Sequence, residues 1–221
     1  MELIVKIISI QEVAHNVRRF RLEKPAGYTF IPGQATQISI NKPLWRDEKR
    51  PFTFTSLKED PYLEFTIKRY PDHHGVTDQL HQLAPGDELV LRDVWGAIEY
   101  KGPGYFIAGG AGITPFLAIL HQLHKEEKLQ GNTLFFSNKT SADVIDEQEL
   151  RTMLGGNVEF ILTNGSGEGY TKGTIDEAFL KQRVKDFGRH FYICGPDPMI
   201  LVLSGILTGL GALPDAVVFE K

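Results

Sequence analysis

Apolar positions are arranged differently in the two halves of the chain. Up to about residue 100 they come in short runs, at residues 3–10, 17–23, 35–40, 51–57, 62–69 and 88–94, each of strand length and rich in β-formers. Turn signals part them: Pro25-Ala26-Gly27, Pro32-Gly33 and Pro85-Gly86. One helical insert is expected over residues 76–83. Short strands punctuated by turns predict an antiparallel sheet, and closure into a barrel removes its exposed edges.

After Lys101-Gly102-Pro103-Gly104 the period changes. A strand at 105–108 runs into glycines and a helix at 114–124. The alternation repeats at 133–136 and 146–154, at 158–162 and 174–183, and at 191–194 and 197–210, before a last strand at 216–219. Strands alternating with helices of about ten residues predict right-handed βαβ crossovers and a parallel sheet covered on both faces. The expectation is two domains: an antiparallel β-barrel over residues 1–101, then a Rossmann-like α/β domain over residues 102–221.

Composition narrows the chemistry. With 42% hydrophobic and 24% charged residues among 221, the chain is that of a folded globular protein. No run approaches the roughly 18 to 20 apolar residues of a membrane span, and the first residues lack the pattern of an export signal, so a cytoplasmic location is expected. The single cysteine, Cys194, excludes an internal disulfide, a cysteine-based zinc site and a four-thiolate iron–sulfur cluster. Redox chemistry in this chain therefore needs an organic cofactor. Residues 1–101 hold 14 basic and 14 acidic side chains and residues 102–221 hold 10 and 14, a balance unsuited to nucleic acid.

Four local motifs stand out. Phe106 to Pro115 is an apolar strand entering glycines and then a helix, where free N–H groups and the helix dipole suit a nucleotide pyrophosphate. Pro115 takes the place of the third glycine of a full G-x-G-x-x-G, and the next strand ends in Ser137-Asn138-Lys139 with no ribose-binding carboxylate. A glycine turn that only permits tight packing stays open as the other reading. At the end of another parallel strand stands Cys194-Gly195-Pro196-Asp197-Pro198-Met199, where Cys194 either faces a ligand or is a buried core thiol. In the first half, Arg50-Pro51-Phe52-Thr53-Phe54-Thr55-Ser56 precedes Gly75-Val76-Thr77, where Thr77 is expected to cap the helical insert. An arginine and a helix start on one barrel can hold one dinucleotide between them.

In this order the motifs resemble the ferredoxin-reductase superfamily of FAD-dependent NAD(P)H oxidoreductases, over roughly residues 5 to 220. Arg50–Ser56 resembles its R-x-Y-[ST]-x-x-S flavin motif, Gly75–Thr77 its pyrophosphate turn, Gly109–Pro115 its G-G-x-G-[IT]-[TS]-P nucleotide turn, and Cys194–Met199 its C-G-P-x-x-M. The resemblance implies a Greek-key FAD-binding barrel and an NAD(P)-binding α/β domain.

It also implies roles. Arg50 would pair with the flavin phosphates, Thr53 would hydrogen-bond near flavin N5, and Phe52, a tyrosine in most relatives, would pack on the isoalloxazine. Pro51, Ser56, Lys68 and Tyr70 would complete the flavin site, with Gly75, Val76 and Thr77 at the pyrophosphate. Gly110, Gly112, Thr114, Pro115, Gly195, Pro196 and Met199 would face the nicotinamide nucleotide, and Cys194 would lie beside its ring. Thr53 and Cys194 are thus the residues nearest the transfer, and no side-chain acid or base is obligatory.

The resemblance implies hydride transfer from NAD(P)H to bound FAD and electrons passed to a separate acceptor of ferredoxin, flavodoxin or cytochrome type, NADH being the expected reductant. An NAD(P)H:flavin reductase that releases its flavin, and a non-catalytic electron-transfer subunit, remain the alternatives. A terminal ring covering the flavin, common in the family, would have to be Phe219. Arg18, Arg19, Arg21, Arg46, Lys49, Lys68 and Arg69 read as solvated strand faces, with a subset able to steer an acidic acceptor. His73, His74 and His81 lack the spacing of a metal site, and residues 164–167 lack the spacing of a nucleophile elbow.

Overall fold

The computed structural model describes residues 2–96 and 98–213 and the backbone of 217–219. Its first sheet is built from β1 (Leu3–Ala14), β2 (Val17–Glu23), β3 (Gln34–Ile40), β4 (Arg50–Thr53), β5 (Tyr62–Lys68) and β6 (Glu88–Gly96), paired antiparallel in the order β4-β3-β6-β1-β2-β5. The end strands meet just past β4. There the Thr55 N–H donates to the Glu64 carbonyl at 2.8 Å, and the Glu64 N–H donates to Ser56 Oγ at 3.0 Å. Closure protects both edges. It also leaves β6 beside β3, with β4 and β5 following, which is the Greek-key order. Phe20, Leu22, Ile38, Phe65 and Leu91 fill the interior.

Two local departures from the sequence pattern have physical causes. β4 ends at Thr53 and not at residue 57, because Thr53, Phe54, Thr55 and Ser56 are all buried and the strand's two-residue alternation is lost as the chain turns to close the barrel. The helical insert is short, α1 (Val76–Leu80), with Val76 and Leu80 packed into the barrel core.

The second sheet contains β7 (Gly104–Gly109), β8 (Thr133–Asn138), β9 (Val158–Leu162), β10 (Thr171–Lys172), β11 (His190–Cys194) and β12 (Val217–Phe219), all parallel, in the order β10-β9-β8-β7-β11-β12. Helices α2 (Thr114–Lys125), α3 (Glu147–Leu154), α4 (Glu177–Arg183) and α5 (Asp197–Gly209) cover its faces. β10 is a two-residue strand in a glycine-rich stretch whose composition carries no strand signal. α4 starts three residues later than its pattern suggests, at the point where the Asp176 carboxylate accepts the Phe179 N–H at 2.8 Å.

From β7 the strand order runs to β8 and β9 on one side and to β11 on the other. Such a reversal opens a crevice at the carboxyl ends of the strands. Register aligns that edge, with Ala108 opposite Cys194 and Gly109 opposite Ser137. The barrel packs against the same domain: Val17 shares a core with residues of α2 and α3, and the His15 N–H donates to the Ala142 carbonyl at 2.8 Å.

Candidate functional site at the domain junction

Two glycine-bearing loops leave the crevice edge and interlock. A Cβ at residue 112 would lie 2.3 Å from the Cys194 carbonyl oxygen, a backbone approach that needs glycine, while one at residue 109 would meet the movable Met199 Sδ at 2.5 Å. Gly110, at φ +53°, turns the chain through the left-handed region. A 3-10 turn over Gly110–Ile113 then feeds α2, where Pro115 sits in the first turn and Thr114 Oγ1 donates to the Ala111 carbonyl at 3.1 Å. The close approach at Gly112 serves tight packing of the two loops, and Gly110 leaves the loop mouth open.

The barrel supplies the facing wall. Arg50, Pro51, Phe52 and Thr53 from β4 stand with Thr66 and Lys68 from β5, and Tyr70 continues the two-residue alternation onto the same face. A cleft of about 450 Å³ separates this wall from Ala111, Thr114, Gly195 and Asp197. A second, of about 440 Å³, is lined by Gly112, Cys194, Gly195 and Pro196. A third, of about 780 Å³, runs past Gly110, Met199, Ser137, Asn138, Lys139, Asp143 and Asn164. Tyr70 and Ala111 border all three, so the clefts form one continuous groove of the size that holds nucleotides.

Arg50 stands at one end of this groove, and Asn138, Lys139 and Asp143 stand at the other. Arg50 is exposed, and its guanidinium donates to the Lys49 carbonyl at 2.7 Å, with Glu48 farther off at 3.8 Å. A planar fork of five donors has capacity beyond that one bond. Burial pushes the Tyr70 phenol up, which keeps it neutral, and its ring stacks on His73 with centroids 5.7 Å apart. Asn138 is 5% exposed, and both polar atoms of its amide are buried without a protein partner. Burial works to raise the Asp143 carboxyl, but the Thr140 hydroxyl and the Lys68 charge outweigh it and hold the carboxyl below its ordinary range.

Of the residues singled out in the sequence, Arg50, Pro51, Phe52, Thr53, Lys68, Tyr70, Thr77, Thr114 and Gly195 line the first cleft. Gly112, Cys194 and Pro196 line the second, and Gly110 and Met199 the third. Four others lie behind these walls. Ser56 closes the barrel through Glu64, Val76 belongs to its core, Pro115 is buried at the start of α2, and Gly75 is the N-cap of α1. Thr77 does not cap that helix: the backbone turns at Gly75, and Thr77 in the first turn borders the cleft. Cys194, 4% exposed, joins the core and borders the second cleft at once. The side chain of Phe219 lies outside the described residues.

Several lining residues carry no sequence motif. Thr66 was accessible through its alternation with Lys68 and Tyr70, whereas Trp95 and Ile200 reach the cleft only through the fold. The basic strand residues are mostly spent internally. Arg21 meets Glu64 at 2.9 Å, Arg69 meets Asp78 at 2.7 Å, Arg46 meets Glu2 at 3.3 Å, and Arg19 meets Asp146. Among the described residues, no helix is long and apolar enough to cross a membrane.

Residues 4–100 match the model of the oxidoreductase FAD-binding domain, and residues 106–204 match that of the oxidoreductase NAD-binding domain. The chain is 31% identical over 223 residues to NADH-cytochrome b5 reductase 2 of Debaryomyces hansenii, covering 91% of this chain and 73% of that protein. It is 25% identical to the reductase component of propane 2-monooxygenase from Rhodococcus jostii, covering 98% of this chain but spanning only 62% of that relative's length. The FAD/NAD-binding domain of nitric oxide dioxygenase from Vibrio cholerae shares the fold with a TM-score of 0.86 at 23% identity, covering 98% of this chain and 97% of that one.

Proposed function

We propose a function from one premise: the chain belongs to the ferredoxin-reductase-like superfamily of FAD- and NAD-binding oxidoreductases. It takes reducing equivalents from NADH and delivers them to a separate acceptor of ferredoxin, flavodoxin or cytochrome type. FAD, held by Arg50, Phe52, Thr53 and Tyr70, would supply the hydride acceptor and the means of releasing electrons singly or in pairs.

The observation that carries this reading is the shared cleft, in which Arg50 and Thr53 of the barrel face Ala111, Thr114 and Gly195 of the α/β domain. The donor set fits the two nucleotides. Arg50 opposes flavin phosphates with a bidentate fork, and the buried Thr53 hydroxyl lies on the same strand next to Phe52. Gly112 and Cys194 shape the second cleft, where the nicotinamide is proposed to lie. The third cleft, lined by Asn138, Lys139 and Asp143, is proposed to take the adenosine half. The Asp143 carboxylate, held ionised there, repels a 2′-phosphate, which favours NADH. The protein's contribution is positioning, which alone is worth several kcal/mol of about 7–11 available from orientation.

The test is reconstitution with FAD, gel filtration, and anaerobic addition of NADH, followed by ferricyanide, ferredoxin, cytochrome or free flavin. The expected protein stays yellow, bleaches with NADH and is reoxidised by a one-electron acceptor. Protein that fails to take up flavin contradicts the proposal. Flavin lost on the column moves the reading to a flavin reductase, and bound flavin that NADH leaves oxidised moves it to an electron-relay subunit.

A further inference from the structure

Asp146 adopts φ 52° and ψ 34°, a left-handed conformation that a non-glycine residue holds only where its surroundings impose it. It immediately precedes α3, and its carboxylate crosses the domain junction to the Arg19 guanidinium on β2. Both side chains are largely buried, at 14% and 9% exposure. On the barrel side, Arg19 Nε lies 3.4 Å from Glu64 Oε1, an ion-pair contact in which Nε makes no hydrogen bond, while Glu64 accepts from Arg21 Nε at 2.9 Å and Thr55 Oγ1 at 3.1 Å. Thr55 Oγ1 in turn is 3.4 Å from Thr66 Oγ1, and Thr66 lines the flavin-side cleft. On the other side, Asp146 ends the connection that leaves β8 after Asn138 and carries Lys139, Thr140 and Asp143 of the groove wall. Polar contacts from Thr66 through Glu64 and Arg19 to Asp146, and then the chain itself, join the two walls.

We propose that Arg19 is a positioning residue, clamped between Glu64 and Asp146, that fixes the angle between the barrel and the nucleotide domain and so the approach of nicotinamide to flavin. The proposal rests on the functional reading above. Two weaker contacts flank the clamp on the same loop, Lys68 to Asp143 at 3.5 Å and the His15 N–H to the Ala142 carbonyl at 2.8 Å. Stability alone is a poor account of it. A desolvated ion pair gains little over apolar packing, and burial pushes the Asp146 carboxyl up even with Arg19 beside it. What such a pair does supply is a single arrangement of the two bodies, and a transfer that depends on near-contact geometry is sensitive to displacements of about 1 Å.

The experiment uses the full chain with Arg19→Met and Asp146→Asn, the second keeping a residue type that tolerates the left-handed backbone. Two quantities are read: hydrogen exchange over residues 140–146 in flavin-free protein, and the single-turnover rate of flavin bleaching by NADH per bound flavin. The expected result is that both rise or fall by about tenfold or more, exchange faster and bleaching slower, with flavin content and the NADH concentration for half-maximal rate close to wild type. Unchanged exchange in both variants, or bleaching that declines only in step with lost flavin, overturns the proposal. If Arg19→Met fails to fold, Asp146→Asn decides alone. Wild-type protein that never bleaches refutes the functional reading, and the exchange measurement still tests the clamp.

Discussion

Gly112 lies so close to the backbone of Cys194 that a methyl group on it would stand 2.3 Å from the Cys194 carbonyl oxygen and 2.6 Å from the Gly195 nitrogen. The contact is with backbone on both sides, so neither loop yields by rotating a side chain. Gly112→Ala is expected to cost about 1–3 kcal/mol of stability, as overpacking does, read as a fall of about 2–4 °C in melting temperature per kcal/mol for a chain of this size. NADH dependence should suffer with it, because the second cleft is shaped by those two loops. A variant with wild-type melting and wild-type half-saturation by NADH would show that the loops are not interlocked.

Arg50 is the converse case, an exposed side chain with little structural duty. Arg50→Met is expected to leave the melting temperature of the flavin-free protein unchanged and to weaken flavin binding by about 10- to 150-fold, since hydrogen bonds to charged groups are worth about 1.5–3 kcal/mol. Fluorescence titration of flavin measures it. Equal affinity in variant and wild type would remove Arg50 from the site.

Coenzyme choice is read from the third cleft, where Lys139 and Asn138 stand beside Asp143. Steady-state rates should favour NADH, and Lys139→Ala should leave that preference standing. A wide margin for NADPH that disappears in Lys139→Ala would reverse the assignment.

His81 gives the fold a pH dependence. Burial pushes its pKa below the ordinary 6.5; the Ile67 carbonyl, 2.9 Å from Nε2, pulls it back up, while Arg18 and Arg69 add to the lowering and Asp78 opposes it. The folded protein therefore holds His81 neutral where the unfolded chain takes up a proton. Stability is complete above about pH 6.5 and falls as the pH drops below it, by at most about 1.4 kcal/mol per unit from this group. Thermal melts between pH 5 and 7 should show a steeper loss for wild type than for His81→Gln. Parallel curves would mean that the fold leaves the His81 pKa where the unfolded chain has it.

The strand and helix periods and the four motifs were readable along the chain because each depends on neighbours in sequence. The motif at residues 50–56 shows where that stops. The alternation of Phe52 and Phe54 reads as a strand continuing to residue 57, whereas the chain leaves β4 at Thr53 to meet Glu64, and Ser56 becomes a closure contact in place of a wall residue. Arg19 and Asp146 are 127 positions apart; Arg19 reads as a solvated strand charge and Asp146 only as the start of a helix until the fold brings them together. Asn138 sits inside a stretch the sequence singles out, but its meaning comes from burial without a partner.

The most direct test of the account is anaerobic stopped-flow mixing of FAD-loaded protein with NADH carrying hydrogen or deuterium at nicotinamide C4. Loss of the oxidised flavin absorbance in a single step that deuterium slows is the result expected if the two rings meet where the cleft lined by Thr53 adjoins the one lined by Cys194. Flavin that stays oxidised, or a rate indifferent to the isotope and to Arg50, would contradict it.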